Sequence, residues 1–185
     1  MRSCFEEFGL YHVDMDYVKY LYNVDSEVYF VNEQQYSRKP FVGILIDLST
    51  HKYFIPLTSS KPVHEKWSLQ KQDYIMLCKK VRQQLQGGVY KKIDNDLLQV
   101  LALVDIKKMI PVPDGCYELI DIDNEMDLKY RALLQDEVRA CRNIKHKILE
   151  KAEKLYNKQL NSKRVLPMYC NFAILEENCA KYKKN

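Results

Sequence analysis

Apolar positions in this chain follow two rhythms: short runs through the first two-thirds, and three- and four-residue steps in the last third. Tyr11-His12-Val13 reads as a short strand. Asp14 then has the character of an N-cap, with Tyr17, Val18, Leu21 and Tyr22 on the inner face of a helix over residues 15–23. Residues 24–40 are polar and irregular, and Pro40 biases Lys39 toward extended backbone. Residues 41–48 and 51–57 are two apolar runs joined by the polar Ser49-Thr50-His51, the pattern of a β-hairpin. Gly43 inside the first run predicts a bend, a bulge or a close backbone approach. Pro62 can start a short helix through Trp67, and residues 73–78 read as a strand. Residues 79–96 fit either a basic loop or a short helix plus turn. Leu97–Val104 suits a strand buried on both faces, with helix as the alternative. A turn through Pro111-Val112-Pro113 leads to a further strand at 116–122.

From residue 126 the steps become helical, through Leu128, Ala132, Leu133 and Val138, then Ile144, Ile148, Leu149, Ala152, Leu155 and Tyr156. The stretch is long for one globular helix, and Asn143 is the expected break. Asn171 caps a last helix with Phe172, Leu175 and Cys179 inward. A helix, a strand-rich middle and terminal helices predict an α+β fold, with a strongly curved antiparallel sheet and helices segregated to one side. Residues 1–185 are expected to form one domain.

No apolar run approaches the ~20 residues that cross a bilayer, and the N-terminus lacks the apolar core of a signal peptide, so a cytoplasmic location is expected. The six cysteines include no C-x-x-C pair and are expected to be free structural thiols, with no metal site. Net charge is only +4, but it is unevenly spread. Residues 61–92 hold eight Lys/Arg against two acids, and residues 139–164 hold nine against two. Two basic blocks on a balanced chain point to a polyanionic partner or, for either block alone, a solvated lysine-rich face.

The second hairpin strand runs into Thr58-Ser59-Ser60-Lys61, with His64 three residues on. No glycines precede Lys61, which excludes a P-loop. Neither the companion motifs of a penicillin-recognising serine enzyme nor a Gly-x-Ser-x-Gly elbow occurs. Hydroxyls and ammonium groups at one strand end suit a phosphodiester, and RNA supplies its own nucleophile in the 2′-OH. Tyr36, Lys39, Thr58, Ser59, Lys61 and His64 are the candidate catalytic residues. Arg38, Lys52, Lys66, Trp67, Lys79, Lys80, Arg82, Lys91 and Lys92 are the candidate RNA contacts, Trp67 by stacking on unpaired bases.

The chain resembles the toxins of type III toxin–antitoxin systems, the ToxN/AbiQ/CptN endoribonucleases. The likeness lies in Phe8-Gly9-Leu10-Tyr11, Lys39-Pro40-Phe41-Val42-Gly43-Ile44, the run from His51 through Pro56-Leu57-Thr58-Ser59-Ser60-Lys61 to His64, Lys107-Lys108-Met109-Ile110-Pro111-Val112, and Cys170-Asn171-Phe172-Ala173-Ile174-Leu175-Glu176-Glu177. The resemblance implies a compact, barrel-like sheet related to Kid/MazF-type toxins. It implies RNA cleavage without metal or cofactor, leaving a 2′,3′-cyclic phosphate. It further implies a pseudoknot RNA antitoxin, processed from a repeat precursor and held in a closed protein–RNA ring, with cellular or phage RNA as substrate. Thr58, Ser59 and Lys61 fall on the family's active-site motif, and Tyr36 and Lys39 near its upstream tyrosine and lysine. The Tyr36–Lys39 spacing is one residue shorter than the family pattern, which brings Arg38 into contention with Lys39, and residues 79–96 have no clear counterpart. Two other readings stand beside this one: a non-catalytic RNA-binding module, and a structural protein whose basic faces meet an acidic protein.

Overall fold

A computed structural model describes residues 5–31, 39–46 and 49–183. The strand β1 (Leu10–Val13) ends at Asp14, whose carboxylate accepts the backbone N–H of Asp16 at 3.0 Å and of Tyr17 at 3.3 Å. That cap starts α1 (Met15–Val24), which buries Tyr17, Val18 and Leu21, while Tyr22 faces outward. The expected hairpin forms from β2 (Phe41–Leu45) and β3 (Lys52–Ser59), with Leu45 opposite Lys52. Asp47 and Leu48 lie outside the described residues. There follow β4 (Tyr74–Val81), β5 (Val89–Ile93), β6 (Asp96–Asp105), β7 (Ile110–Val112) and β8 (Tyr117–Leu119). Helices α2 (Leu128–Asn143), α3 (Lys145–Ser162) and α4 (Phe172–Lys181) complete the order, with the α2–α3 break at Ile144, beside the expected Asn143.

The fold is α+β, with an eight-stranded antiparallel sheet in the order β4-β6-β3-β2-β1-β8; β5 also pairs with β6, and β7 with β3. Strand β3 changes partners along its length. Lys52–Phe54 lie between β2 and β7, whereas Leu57–Ser59 pair with β6. Strand β6 pairs with β4 along one edge and with β5 and then β3 along the other. Ser59 is opposite Ala102 and Val89 is opposite Val100, so β5 begins roughly 7 Å along β6 from the end of β3. Among the described residues β4 and β8, at the ends of the path, do not pair, so the sheet expected to be barrel-like is not closed.

Residues 79–96 are neither loop nor helix: they hold the end of β4, a turn with Gly87 at φ +80°, and β5. The charge of Lys91 and Lys92 hides a strand that, among the described residues, pairs with β6 alone, and lysine is a usual occupant of sheet edges. The three-residue β7 looks like a turn in the sequence because two prolines flank Val112, yet Tyr53 pairs with Pro111 within it. In α2 the buried residues are Leu134, Glu137 and Cys141, while Leu128, Ala132 and Leu133 are exposed. The buried stripe of α3 and the inward Phe172, Leu175 and Cys179 of α4 are as expected.

Gly43 answers to a close approach. A Cβ there would lie 2.8 Å from Phe5 Cε2 and 2.9 Å from Tyr11 Cε2, inside the aromatic cluster of Phe5, Tyr11, Phe54 and Tyr117. At the other side of the sheet α4 is clamped to the hairpin. Glu176 Oε1 accepts hydrogen bonds from Ser49 Oγ at 2.7 Å and from the hydroxyls of Tyr53 and Tyr156, both at 2.9 Å. Lys107 and Lys108 are braces, donating to Asp73 at 3.1 Å and to the Glu27 carbonyl at 2.7 Å. Cys78, Cys141, Cys170 and Cys179 carry free thiols, the last three buried. Among the described residues no helix is long and apolar enough to cross a membrane.

Candidate active site

The site forms where β3 ends. The Leu57 N–H donates to the Pro40 carbonyl at 3.0 Å, which carries the hairpin pairing one step past Phe41 and sets Lys39 beside the end of β3. A cavity of about 380 Å³ opens there, lined by Tyr29, Lys39, Ser59, Asp127, Tyr130 and Glu137 among others. Leu57 and Ser59 line it and Thr58 does not, as the alternation of a strand requires. Ser59 is exposed, so its hydroxyl is available. The Thr58 Oγ1 is buried and has no hydrogen-bond partner among the described residues.

Past Ser59 the chain turns through a 3₁₀ turn, Pro62–Lys66. The His64 N–H donates to the Lys61 carbonyl at 2.8 Å, and the Lys61 N–H donates to His64 Nδ1 at 2.9 Å. These bonds fix the Lys61 backbone and leave its side chain exposed to solvent. His64 is only 4% exposed, and its pKa is lowered by burial and by the Lys61 charge. One ring nitrogen accepts the Lys61 N–H and the ring packs on Trp67 at 4.8 Å, so His64 holds the turn rather than facing the cavity as an expected proton carrier. Trp67, 38% exposed, leans in turn on Tyr74 at 5.3 Å.

The Lys39 ammonium stands 3.7 Å over the Tyr29 ring centroid, a cation–π contact. Burial pushes its pKa down to about 8; Asp105 opposes the shift, Lys61 reinforces it and Glu137 opposes it. Glu137, across the cavity, is pushed up to about 8 by burial, against the Lys39 charge. Its Oε2 is buried and has no hydrogen-bond partner.

The structure separates the expected RNA contacts into tied and untied groups. Lys52 stands at the far end of β3 from Ser59, roughly 23 Å away by strand rise, and donates to Asp114 at 2.5 Å and Tyr117 at 3.0 Å. Lys79 pairs with Asp136 at 2.7 Å and Lys80 with Asp96 at 2.5 Å. Lys91 is occupied by the turn, donating to the carbonyls of Glu65 and Trp67, both at 2.6 Å. Lys66, Arg82 and Lys92 are exposed. Tyr36 and Arg38 lie outside the described residues. A second basic cleft, about 650 Å³, runs between residues 70–72 and α3 and is lined by Lys71, Lys147, Lys151 and Lys154. Among the described residues no three His, Cys, Asp or Glu side chains converge as metal ligands would.

The family described as "Toxin ToxN, type III toxin-antitoxin system" matches residues 9–180. This chain belongs to that family. Among relatives of this ToxN-family chain, Endoribonuclease ToxN of Pectobacterium atrosepticum is 29% identical over 94% of this chain and 93% of its own length. A solved structure described as "A processed non-coding RNA regulates a bacterial antiviral system" superposes with a TM-score of 0.71 at 26% identity, covering 95% of this chain and 99% of the other. A second is described as "New insights into the mechanism of bacterial Type III toxin-antitoxin systems: selective toxin inhibition by a non-coding RNA pseudoknot". It has a TM-score of 0.71 at 25% identity, covering 96% and 98%.

Sequence reasoning missed Tyr29, Asp127, Tyr130 and Glu137 in the cavity of this ToxN-family fold. One of the four left a signal. Glu137 sits three residues after Leu134 and four before Cys141, so it is a carboxylate on the buried stripe of an amphipathic helix.

Proposed function

We propose that the chain is the endoribonuclease toxin of a type III system, a single domain acting in the cytoplasm without metal. The observation that carries this reading is the exposed Ser59 and Lys61 at one strand end, beside the cavity that holds Lys39. The ribose 2′-OH oxygen attacks the adjacent phosphorus while the bond to the 5′ oxygen breaks, leaving a 2′,3′-cyclic phosphate and a 5′-hydroxyl. The 2′-OH proton leaves with a base, and the departing oxygen takes a proton. Ser59 donates to a phosphate oxygen, and Lys61 and Lys39 stabilise the charge that builds on the pentacoordinate phosphorus. Tyr36 retains its proposed part in proton transfer. The relatives support a pseudoknot antitoxin RNA that the toxin processes and that holds it inactive. The relation to Kid/MazF-type cores enters as fold-level analogy.

Incubation with single-stranded RNA in excess EDTA tests the proposal. Cutting is expected to persist and to leave cyclic-phosphate ends. Loss of cutting under chelation overturns the metal-free mechanism, and tight RNA binding without cutting turns the reading to a binding module. The basic cleft on α3 gives a separate expectation. Lys147→Glu with Lys154→Glu lowers the affinity for structured RNA. It also flattens the salt dependence by about 0.7 log unit for each phosphate that the cleft no longer neutralises. Cleavage of short single-stranded RNA stays unchanged. Affinity measured from about 50 to 200 mM salt checks it, and an unaltered slope removes the cleft from the interface.

A further inference from the structure

We infer that Glu137 is a positioning residue for cleavage, acting through Lys39 as the counter-charge that keeps its ammonium protonated beside Ser59. The inference rests on the endoribonuclease reading above. Three features of the geometry carry it. Glu137 lines the same cavity as Lys39 and Ser59. It is 4% exposed, and its Oε2 has no partner, which is an unfavourable way to hold a carboxyl unless something nearby uses it. Among the described residues Lys39 lies over the Tyr29 ring rather than in a direct ion pair, so its charge is also under-compensated there.

The other groups that bear on the pair come from every wall. Lys61 after β3 repels the Lys39 charge, and Asp105 at the end of β6 supports it. On α2, Asp136 disfavours ionisation of Glu137, and the buried Cys141 thiol lies one turn on. Asp127 and Tyr130 complete the lining. Asp105 has Lys107 beside it, its Oδ1 3.7 Å from Nζ, whereas Glu137, on the cavity wall, forms no ion pair among the described residues. The two groups titrate near the same pH and interact, so they share protons rather than titrate singly. Removing the carboxylate removes one of the two charges that hold the Lys39 proton, and Lys39 loses it at lower pH.

The test is the pH profile of single-turnover RNA cleavage by wild type, Glu137→Gln and Glu137→Asp. Glu137→Gln is expected near the wild-type rate at about pH 6.5 and about tenfold slower at about pH 8.5, because its alkaline limb falls roughly one pH step earlier. Glu137→Asp restores most of the rate at the higher pH, and affinity for an uncleavable 2′-deoxy RNA is the same in all three. An equal loss at both pH values marks a merely structural role and overturns the inference, as does an unshifted profile. Lysine side-chain NMR titration reads the same interaction without activity: the Lys39 midpoint falls in Glu137→Gln, and an unchanged midpoint overturns the inference. If wild type cuts no RNA the function fails, while the Lys39 midpoint still decides whether Glu137 holds the proton.

Discussion

Lys61→Ala slows RNA cleavage by between about a hundredfold and a thousandfold while leaving RNA affinity nearly intact, the range expected when one donor to a charged transition state is lost. The local structure makes this substitution clean. The turn is held by the Lys61 backbone, through its N–H on His64 Nδ1 and its carbonyl under the His64 N–H, so truncating the side chain leaves both bonds in place. Lys91 further pins the turn from β5 through the Glu65 and Trp67 carbonyls. The exposed ammonium is free to follow a phosphate into its transition state, an interaction that grows as charge develops rather than one already complete in the bound ground state. Single-turnover rates beside binding to 2′-deoxy RNA check the split. Lys52→Ala serves as the control, since that lysine is tied to Asp114 and Tyr117 at the far end of β3. Wild-type cleavage by Lys61→Ala removes Lys61 from the site.

Glu176→Ala costs on the order of 3 kcal/mol of folding stability. Tyr53 is fully buried and Tyr156 nearly so, and both hydroxyls use Glu176 Oε1 as their acceptor. Burial raises the pKa of each phenol, with the bond to Glu176 acting in the same direction, so both remain donors throughout the ordinary pH range. Alanine leaves two buried donors unmet and opens space beneath α4. Glu176→Gln keeps an acceptor oxygen in place and costs about 1 kcal/mol, the difference between a charged and a neutral acceptor. Urea denaturation midpoints at constant slope measure both, and a midpoint for Glu176→Ala within error of wild type shows the clamp to be dispensable.

Local chemistry makes much of the fold legible. Asp14 and Asn171 cap their helices through side chains on the N–H groups ahead, and nothing distant is needed to read that. Strand β5 stays hidden because its buried start, Val89-Tyr90, is only two residues long and Lys91-Lys92 looks like any basic loop. The stripe of α2 is misplaced because its buried face includes a carboxylate, so the apolar rhythm that marks a helix points toward Leu133 instead of Leu134 and Glu137. At the site, residue types alone point to Ser59, Lys61 and Lys39, and the structure puts Ser59 and Lys39 on one cavity. Residue types do not give the orientation of Thr58, which strand parity sets, or of His64, whose ring is bonded into the turn. Part of the signature that carries the family likeness proves to be scaffold: Lys107, Lys108 and Glu176 brace the sheet and touch none of the cavity.

The bond between Ser49 and Glu176 joins residues 127 positions apart. During synthesis the hairpin therefore leaves the ribosome long before the carboxylate that fastens it. A chain still being translated holds the turn between β2 and β3 unfastened, and the clamp closes only after the α4 segment has emerged.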